Sequence, residues 1–337
     1  MKNFLVAAVL AACNAPPESA RWEPQAVQSD ADFRGLSVVS PTVAWASGTK
    51  GTYARTTDRG ATWSVGKVPG AERLDLRDVK AFGDRTAYVL SAGPGESSRI
   101  YKTADGGKSW SLQFTNSDPA GFFDAIAFWD EKNGIALGDP VRGRFQLIRT
   151  LDGGANWKLL ADESLPRALP NEGAFAASGT CIVAHGDRDV WFCTGGAKVA
   201  RVIHSADRGD TWTSSDTPVM AGTESAGIFS MAFRDRDHGL VVGGDYRKPS
   251  DTGVTAAATS DGGRTWTAVS NAFPFRSAVA RSNETWVVVG TSGSDWSRDE
   301  GRTWSPLGRQ GLNSVGFCAT GEGWAVGPKS RIARFAK

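Results

Sequence analysis

Short apolar stretches of three or four residues recur along the chain, and most of their side chains favour β-strands. Turn-forming residues, above all glycine, separate these stretches from one another. The pattern is typical of strands buried between stacked sheets, so it predicts one such strand in each of seven repeated units. The stretches span residues 43–46, 87–90, 134–137, 190–192, 240–242, 286–289 and 324–326.

A second pattern occurs six times: Ser or Thr, any residue, Asp, any residue, Gly, two variable residues and Trp. An Asp side chain accepts hydrogen bonds from the backbone N–H groups that follow it, and Gly permits a positive φ two residues later. The Trp begins the next strand and buries its ring. Because this is the chemistry of a turn, we expect a structural role, not a calcium-binding or catalytic one, for the six aspartates Asp58, Asp105, Asp152, Asp207, Asp261 and Asp299.

This motif is similar to the Asp-box, or BNR, repeat of sialidase-like β-propellers. The resemblance implies that each motif forms the turn between the third and fourth strands of a blade. Together with the seven apolar stretches it predicts an all-β, seven-bladed propeller. The seventh unit lacks the motif, and we expect residues 21–27 to supply its outer strand, with Trp22 in place of the missing Trp. Such closure would leave no open edge.

The N-terminus indicates where the protein is located. A short apolar core follows Lys2, and Leu10-Ala11-Ala12-Cys13 resembles the lipobox of bacterial lipoproteins. The prediction is a signal peptide at 1–12, a lipidated tether at 13–21 and the propeller at 22–337. The protein would then be exported and anchored through Cys13 to a bacterial membrane, on its periplasmic or cell-surface side. The alternative is an ordinary signal peptide with a free Cys13.

Composition and short motifs narrow the partners and cofactors that the protein could have. The 38 basic and 36 acidic residues nearly balance, which argues against a nucleic-acid partner. We find no Gly-x-Gly-x-x-Gly loop, Cys-x-x-Cys or haem motif, and the three histidines lack metal-ligand spacing, so we expect no cofactor and no metal. Cys181 and Cys193 flank a predicted hairpin and are either a disulfide or two buried thiols. Cys318 is expected in the core.

The innermost strand of each blade carries a candidate site. If the first residue of a shared four-residue pattern packs between blades, the second points into the central channel. That second position is occupied by Arg34, Arg77, Asp124, Ala176, Phe229, Arg276 and Asn313. Three arginines in a funnel would bind an anion, because guanidinium groups suit carboxylates and phosphates. The alternative is a solvated channel in which Asp124 pairs with one arginine.

Loops on the face opposite the motif turns complete this candidate site. They connect second to third strands and one blade to the next. Three of them vary in length and carry polar side chains: residues 138–144, 160–172 and 243–253. Ligands favour loops held by a rigid scaffold. We therefore expect contacts from Asp139, Arg144 and Glu172 as well.

Two functions compete. The blade count, short blades and strand pattern resemble the photosystem II stability and assembly factor propellers, which implies a non-enzymatic scaffold for a protein partner or an anionic or glycan ligand. A basic patch on the funnel is a feature of that family, with Arg34, Arg77 and Arg276 as counterparts here. The alternative is a sialidase-like glycoside hydrolase, in which Arg34 and Arg276 hold a carboxylate.

In that alternative, Tyr246 would be the nucleophile, with Glu172 and Asp245 as the carboxylates. The sequence Phe33-Arg34-Gly35-Leu36 matches the Phe-Arg-Ile-Pro motif of sialidases only in its first two positions. Convergence of Tyr246 and a carboxylate on the arginines would favour the hydrolase, and their separation would favour the scaffold.

Overall fold

The computed structural model describes residues 20–270 and 273–336, which form seven four-stranded antiparallel sheets. The innermost strands of successive sheets contact one another in a closed ring, from the first sheet round to the seventh and back. This arrangement confirms the predicted seven-bladed, all-β propeller. Two short 3-10 helices, Gly95–Ser97 and Asp162–Ser164, interrupt the strands.

The strands are numbered along the chain, and the first of them, β1 (Arg21–Pro24), belongs to the last blade. Blades 1 and 2 contain β2 (Phe33–Val38), β3 (Ala44–Gly48), β4 (Thr52–Thr56), β5 (Ser64–Lys67), β6 (Leu76–Ala81), β7 (Ala87–Ser91), β8 (Arg99–Thr103) and β9 (Ser111–Thr115). Blades 3 and 4 contain β10 (Phe123–Phe128), β11 (Gly134–Val141), β12 (Arg144–Thr150), β13 (Lys158–Leu159), β14 (Ile182–His185), β15 (Asp189–Cys193), β16 (Arg201–Ser205) and β17 (Thr213–Asp216). Blades 5 to 7 contain β18 (Ala226–Phe233), β19 (Gly239–Asp245), β20 (Ala256–Thr259), β21 (Thr267–Ala268), β22 (Ala278–Ser282), β23 (Thr285–Gly290), β24 (Gly293–Ser297), β25 (Ser305–Gly308), β26 (Ser314–Phe317), β27 (Gly323–Val326) and β28 (Ile332–Ala336).

The N-terminal strand closes the ring by pairing with β28. Its register repeats that of a complete blade: Glu23 pairs with Arg334, as Ser64 pairs with Arg55 in blade 1. Trp22 immediately precedes Glu23, just as the motif residue Trp63 immediately precedes Ser64. Trp22 therefore occupies in blade 7 the position of the motif Trp. This is the closure that the sequence predicts.

Each motif turn joins the third and fourth strands of its blade and is held by its own side chains. In blade 2 the Thr103 hydroxyl donates to Asp105 and accepts from the Gly107 N–H, both at 2.9 Å. Asp105 accepts from the backbone and the hydroxyl of Ser109, at 2.9 and 2.6 Å. These bonds, led by the one from the Ser109 hydroxyl, lower the pKa of Asp105 to about 2. The other five motif turns contain the same backbone bond to Asp.

Aromatic side chains fill the space between neighbouring blades. Trp45 and Trp324 are fully buried, and each receives the edge of a motif Trp from the next blade. Trp110 approaches Trp45, and Trp63 approaches Trp324, both with ring centroids 6.4 Å apart. The motif Trp thus links two blades, which explains why a turn motif carries a large aromatic residue.

Not every predicted inner strand forms at its expected place. In blade 4 residues 175–178 are not a strand, because β14 begins only at Ile182. Residues 175–180, the axial segment, instead lie across the propeller axis. Ala176 accepts from Arg77 of blade 2 at 2.7 Å, and the Ser178 hydroxyl donates to Ser277, just before blade 6, at 3.0 Å. The Thr180 carbonyl accepts from Met231 of blade 5 at 3.0 Å.

The predicted loop at 138–144 is also more regular than expected. It is the end of a β-hairpin in which β11 and β12 are joined by Arg142 and Gly143 alone. Both residues have positive φ, 53° and 77°, which suits a two-residue hairpin turn. Asp139 lies on this hairpin at a shift in register between Gly138 and Pro140.

Cys181 immediately precedes β14 and accepts a backbone hydrogen bond from Cys193, the last residue of β15, but both residues are free thiols and both are buried. Of the two alternatives that the sequence leaves open, the structure has the two buried thiols and not the disulfide. Cys318 is also buried and free. Residues 1–19, which include Cys13, the predicted signal peptide and most of the tether, lie outside the described residues. No helix in the described part of the chain is long and apolar enough to cross a membrane.

Candidate functional site

A cavity of about 510 Å³ opens where the inner strands begin and the second-to-third-strand loops converge. This is the funnel face, opposite the box face that carries the motif turns. Six of the seven residues predicted to point into the channel line this funnel. They are Arg34, Arg77, Asp124, Ala176, Phe229 and Asn313, and they are joined by Asp139 and Tyr246.

Backbone bulges aim four of these side chains. In blades 1, 2, 3 and 5 the pairing of the first two strands skips one residue of the inner strand. A bulge of this kind leaves one residue unpaired and redirects its side chain. The skipped residues are Arg34, Arg77, Asp124 and Phe229. The sequence predicts which side chains face the channel, but strand alternation alone does not predict the bulges that turn them.

The two arginines of the funnel differ in their partners. Arg77 donates to Asp75 at 2.6 Å and to the Ala176 carbonyl at 2.7 Å. Arg34 has a buried Nε without a partner among the described residues. Burial, followed by the charge of Arg77, lowers the pKa of Arg34. Arg34 is thus a largely desolvated cation that forms no salt bridge with any described residue, although the charges of Asp75 and Asp32 act on it from a greater distance. This is the state of a guanidinium prepared for an anion.

Two aspartates form the acidic side of the funnel. Asp124 is fully buried, and its Oδ2 has no partner in the described part of the chain. Burial, and then the neighbouring charge of Asp139, raises the pKa of Asp124 well above its usual range. Burial also raises the pKa of Asp139 to about 6, against a bond from the Ala174 N–H at 2.9 Å. The ion pair between Asp124 and an arginine, which was the alternative to an anion-binding funnel, does not form within the described residues; Arg77 pairs with Asp75 instead.

Arg276 does not point into the funnel, contrary to the prediction. Its guanidinium is buried and pairs with Asp295 at 2.5 Å, with a further bond to Ser292 at 3.0 Å. Because β22 starts at Ala278, residues 275–277 precede the strand and the assumed alternation does not apply. Phe275 and Ser277 line the cavity in its place.

Other predicted contact residues are engaged elsewhere. Arg144 donates to the Leu165 carbonyl at 2.9 Å and is not among the residues that line the funnel. The Asn313 side chain lines the funnel but also donates to the Phe33 carbonyl at 2.8 Å, which ties blade 7 to blade 1. Each therefore has a structural task in addition to, or instead of, the predicted one.

The three residues of the hydrolase alternative do not assemble. Tyr246 is 45% exposed and lines the funnel. Glu172 lies outside it in a buried pair with Arg201 at 2.5 Å, and it also accepts from Thr194 at 2.6 Å. Asp245 is buried and accepts from the Arg247 N–H at 2.9 Å. No group of three or more His, Cys, Asp or Glu residues suited to a metal ion occurs in residues 20–270 and 273–336.

Aromatic rings form the side of the funnel that belongs to blades 4 to 6. Phe175 and Phe229 stack face to face with centroids 3.9 Å apart and planes within 5°. Tyr246 meets both rings edge-on, at 6.5 and 6.1 Å, and Phe275 meets Phe229 edge-on at 4.8 Å. The sequence predicts Phe229 as a channel residue but does not reveal this cluster, because its members come from distant segments.

Comparison with known proteins shows that the chain is similar to one particular group of propellers. No protein-family model matches the chain. The chain is 27% identical over 285 residues to the photosystem II assembly protein Ycf48 of Synechococcus sp. (strain JA-2-3B'a(2-13)), covering 72% of this chain and 75% of that protein. The chain is therefore similar to the Ycf48 propellers.

Solved structures agree with this Ycf48-like fold. A structure of YCF48 bound to D1 peptide superposes with a TM-score of 0.65 at 17% identity, covering 94% of this chain and 97% of that one. A streptogramin B lyase also gives a TM-score of 0.65, at 12% identity and with 94% and 97% coverage. A fold shared by a peptide-binding protein and a lyase does not specify the activity, so function must be argued from the site.

Proposed function

We propose that this chain is a non-enzymatic scaffold that binds a protein partner through the arginine side of its funnel. The observation that carries the proposal is Arg34, a largely desolvated guanidinium that forms no salt bridge with the described residues and lines a cavity of about 510 Å³. A buried cation is costly unless it is paired, so a site that keeps one unpaired gains from an incoming carboxylate.

Its relatives indicate the kind of ligand. The related Synechococcus protein is described as an assembly protein, and a solved YCF48 holds a peptide. Transferred to this chain, these descriptions favour a segment of another protein over a small metabolite. The lipobox-like sequence ending at Cys13 supports an exported, membrane-anchored protein, so we propose that its partner is exported or embedded in a membrane.

Co-purification from native membranes tests this proposal. The full-length protein, the Arg34→Ala variant and the Arg85→Ala variant are compared. Arg85 is an exposed arginine in the turn between β6 and β7 on the box face, which makes it a matched control. We expect a partner that is retained by wild type and Arg85→Ala and lost by Arg34→Ala. The proposal fails if Arg34→Ala retains every protein that wild type enriches.

A glycoside hydrolase is the second candidate, because Tyr246 shares the funnel with Arg34 and two carboxyl groups. The glutamate that would assist Tyr246 is missing from the described lining, since Glu172 is paired with Arg201. We therefore expect no hydrolysis of a fluorogenic sialoside by the purified protein. Turnover that disappears in Tyr246→Phe would establish the hydrolase instead.

A further inference from the structure

The funnel contains an exposed aromatic surface as well as a cation. Five large apolar side chains are exposed in the described part of the chain, and four of them lie near the outer edges of blades. Those four are Val65, Leu112, Leu151 and Leu159. Only Tyr246 among the five lines the funnel.

Tyr246 is held in place by its neighbours. It packs edge-on against the stacked pair Phe175 and Phe229, whose planes are within 5° of parallel. The guanidinium of Arg247 lies 5.7 Å from the Tyr246 ring centroid and is itself paired with Glu224. Rings fixed in this way can receive another aromatic side chain at little cost in conformational entropy.

The shape of the site favours an extended chain. A second cavity of about 490 Å³ shares Phe122, Asp139, Ala174 and Phe175 with the funnel. It extends outward along blades 3 and 4, past Asn171 and Gly196. A ligand that occupies both cavities must be longer than a single side chain or a small anion.

From these observations we infer that the funnel recognises an extended peptide segment in which an acidic residue lies close to an aromatic one. The carboxylate pairs with Arg34, and the aromatic side chain packs on Tyr246 and Phe175. This inference rests on the proposed function and adds to it the side-chain chemistry of the partner. We expect the acidic residue because its charge complements that of Arg34. We expect the aromatic residue because the exposed Tyr246 ring offers it a surface to pack on.

A randomised library of short synthetic peptides, of about nine residues each, tests the inference. The full-length protein in detergent selects from this library beside four variants: Arg34→Ala, Tyr246→Ala, Arg85→Ala and Leu112→Ala. Leu112 is 52% exposed on β9 and serves as the matched control for Tyr246. Wild type and both controls are expected to enrich Asp or Glu together with Phe, Tyr or Trp within two positions.

The variants separate the two halves of the motif. Tyr246→Ala is expected to lose the aromatic preference by about fivefold, the size of one aromatic contact, while the acidic preference remains. Arg34→Ala is expected to lose the acidic preference. An acidic preference with no aromatic one, or an aromatic preference that survives Tyr246→Ala, overturns the inference but leaves the proposed function intact. Enrichment of no peptide by wild type would overturn both.

Discussion

Arg77 and Ala176 are 99 residues apart in sequence, yet the Arg77 guanidinium donates to the Ala176 carbonyl at 2.7 Å. This bond joins blade 2 to the axial segment that precedes blade 4. Arg77, a predicted ligand residue, therefore also has a structural role. The three arginines that the sequence groups together have three different environments. Arg34 forms no salt bridge within residues 20–270 and 273–336, Arg77 is shared between two partners, and Arg276 is buried in an ion pair.

These environments predict three different effects of alanine on stability. Arg34→Ala breaks no hydrogen bond recorded among the described residues and removes a desolvated charge, so it should leave the free energy of unfolding unchanged or raise it slightly. Arg77→Ala should cost about 1–2 kcal/mol, the value of charged hydrogen bonds at a half-buried site. Arg276→Ala should cost about 3–5 kcal/mol, because it leaves Asp295 largely buried and unpaired.

Thermal and denaturant unfolding of the three single variants measures this order. A double variant that combines Arg34→Ala with Arg276→Ala would be a poor probe of binding, because the loss of Arg276 also makes the protein unfold more easily. Equal losses of stability in Arg34→Ala and Arg276→Ala would contradict the assigned environments.

Asp139 predicts a pH dependence of stability. Its pKa is about 6 in the folded protein, above the ordinary value of 3.8, because of burial. The folded state thus binds its proton more tightly than the unfolded state does, and stability falls as the pH rises from about 4 to 6. The difference between the unfolded and folded pKa of Asp139 corresponds to roughly 3 kcal/mol of stability at most.

The Asp139→Asn variant tests this pH dependence. Asn cannot ionise, but its amide oxygen can still accept the hydrogen bond from the Ala174 N–H. We expect a higher melting temperature than wild type at pH 8 and the same melting temperature near pH 4. The exposed Asp84, in the turn between β6 and β7, provides the control variant Asp84→Asn. If Asp139→Asn destabilises the protein at pH 8, the Asp139 carboxylate is stabilising and the direction of its pKa shift is wrong.

The contacts of Trp22 predict what happens when the closed ring of blades is weakened at its N-terminal strand. Its indole N–H donates to the Ser294 hydroxyl at 2.9 Å, and its ring packs on Phe335 at 5.5 Å. Trp22→Ala should lower the free energy of unfolding by about 2 kcal/mol, less than for a fully buried Trp. Trp22→Phe keeps the packing and should recover most of that loss.

Removal of residues 1–24 should have a second effect. It exposes the edge of β28, and free strand edges pair with other chains. We expect concentration-dependent association of this shortened chain in size-exclusion chromatography with light scattering. A shortened chain that stays monomeric and as stable as wild type would show that β1 does not close the propeller.

The cysteines predict a chemical result. Burial raises the pKa of both Cys181 and Cys193 above the ordinary value of a thiol, so both should resist alkylation in the folded protein. After unfolding without a reductant, iodoacetamide should label Cys181 and Cys193 fully, as measured by peptide mass spectrometry. Labelling that requires prior reduction would reveal a disulfide.

The sequence alone predicts the blade count, the motif turns and the closing strand because each depends on local chemistry. A turn such as Thr103 to Ser109 satisfies its own hydrogen bonds within seven residues, so its pattern is complete in the sequence. Trp22 is predictable for the same reason, since the seventh unit visibly lacks one motif.

Only the tertiary structure decides which funnel residues are available to a ligand. Arg34, Arg77 and Arg276 occupy the same position in a local pattern, and their difference comes from groups that are distant in sequence or outside that pattern. Asp75 and Ala176 engage Arg77, Asp295 engages Arg276, and no carboxylate among the described residues pairs with Arg34. The aromatic cluster likewise forms from three blades. Desolvation and pairing depend on these non-local contacts, and residue order does not specify them.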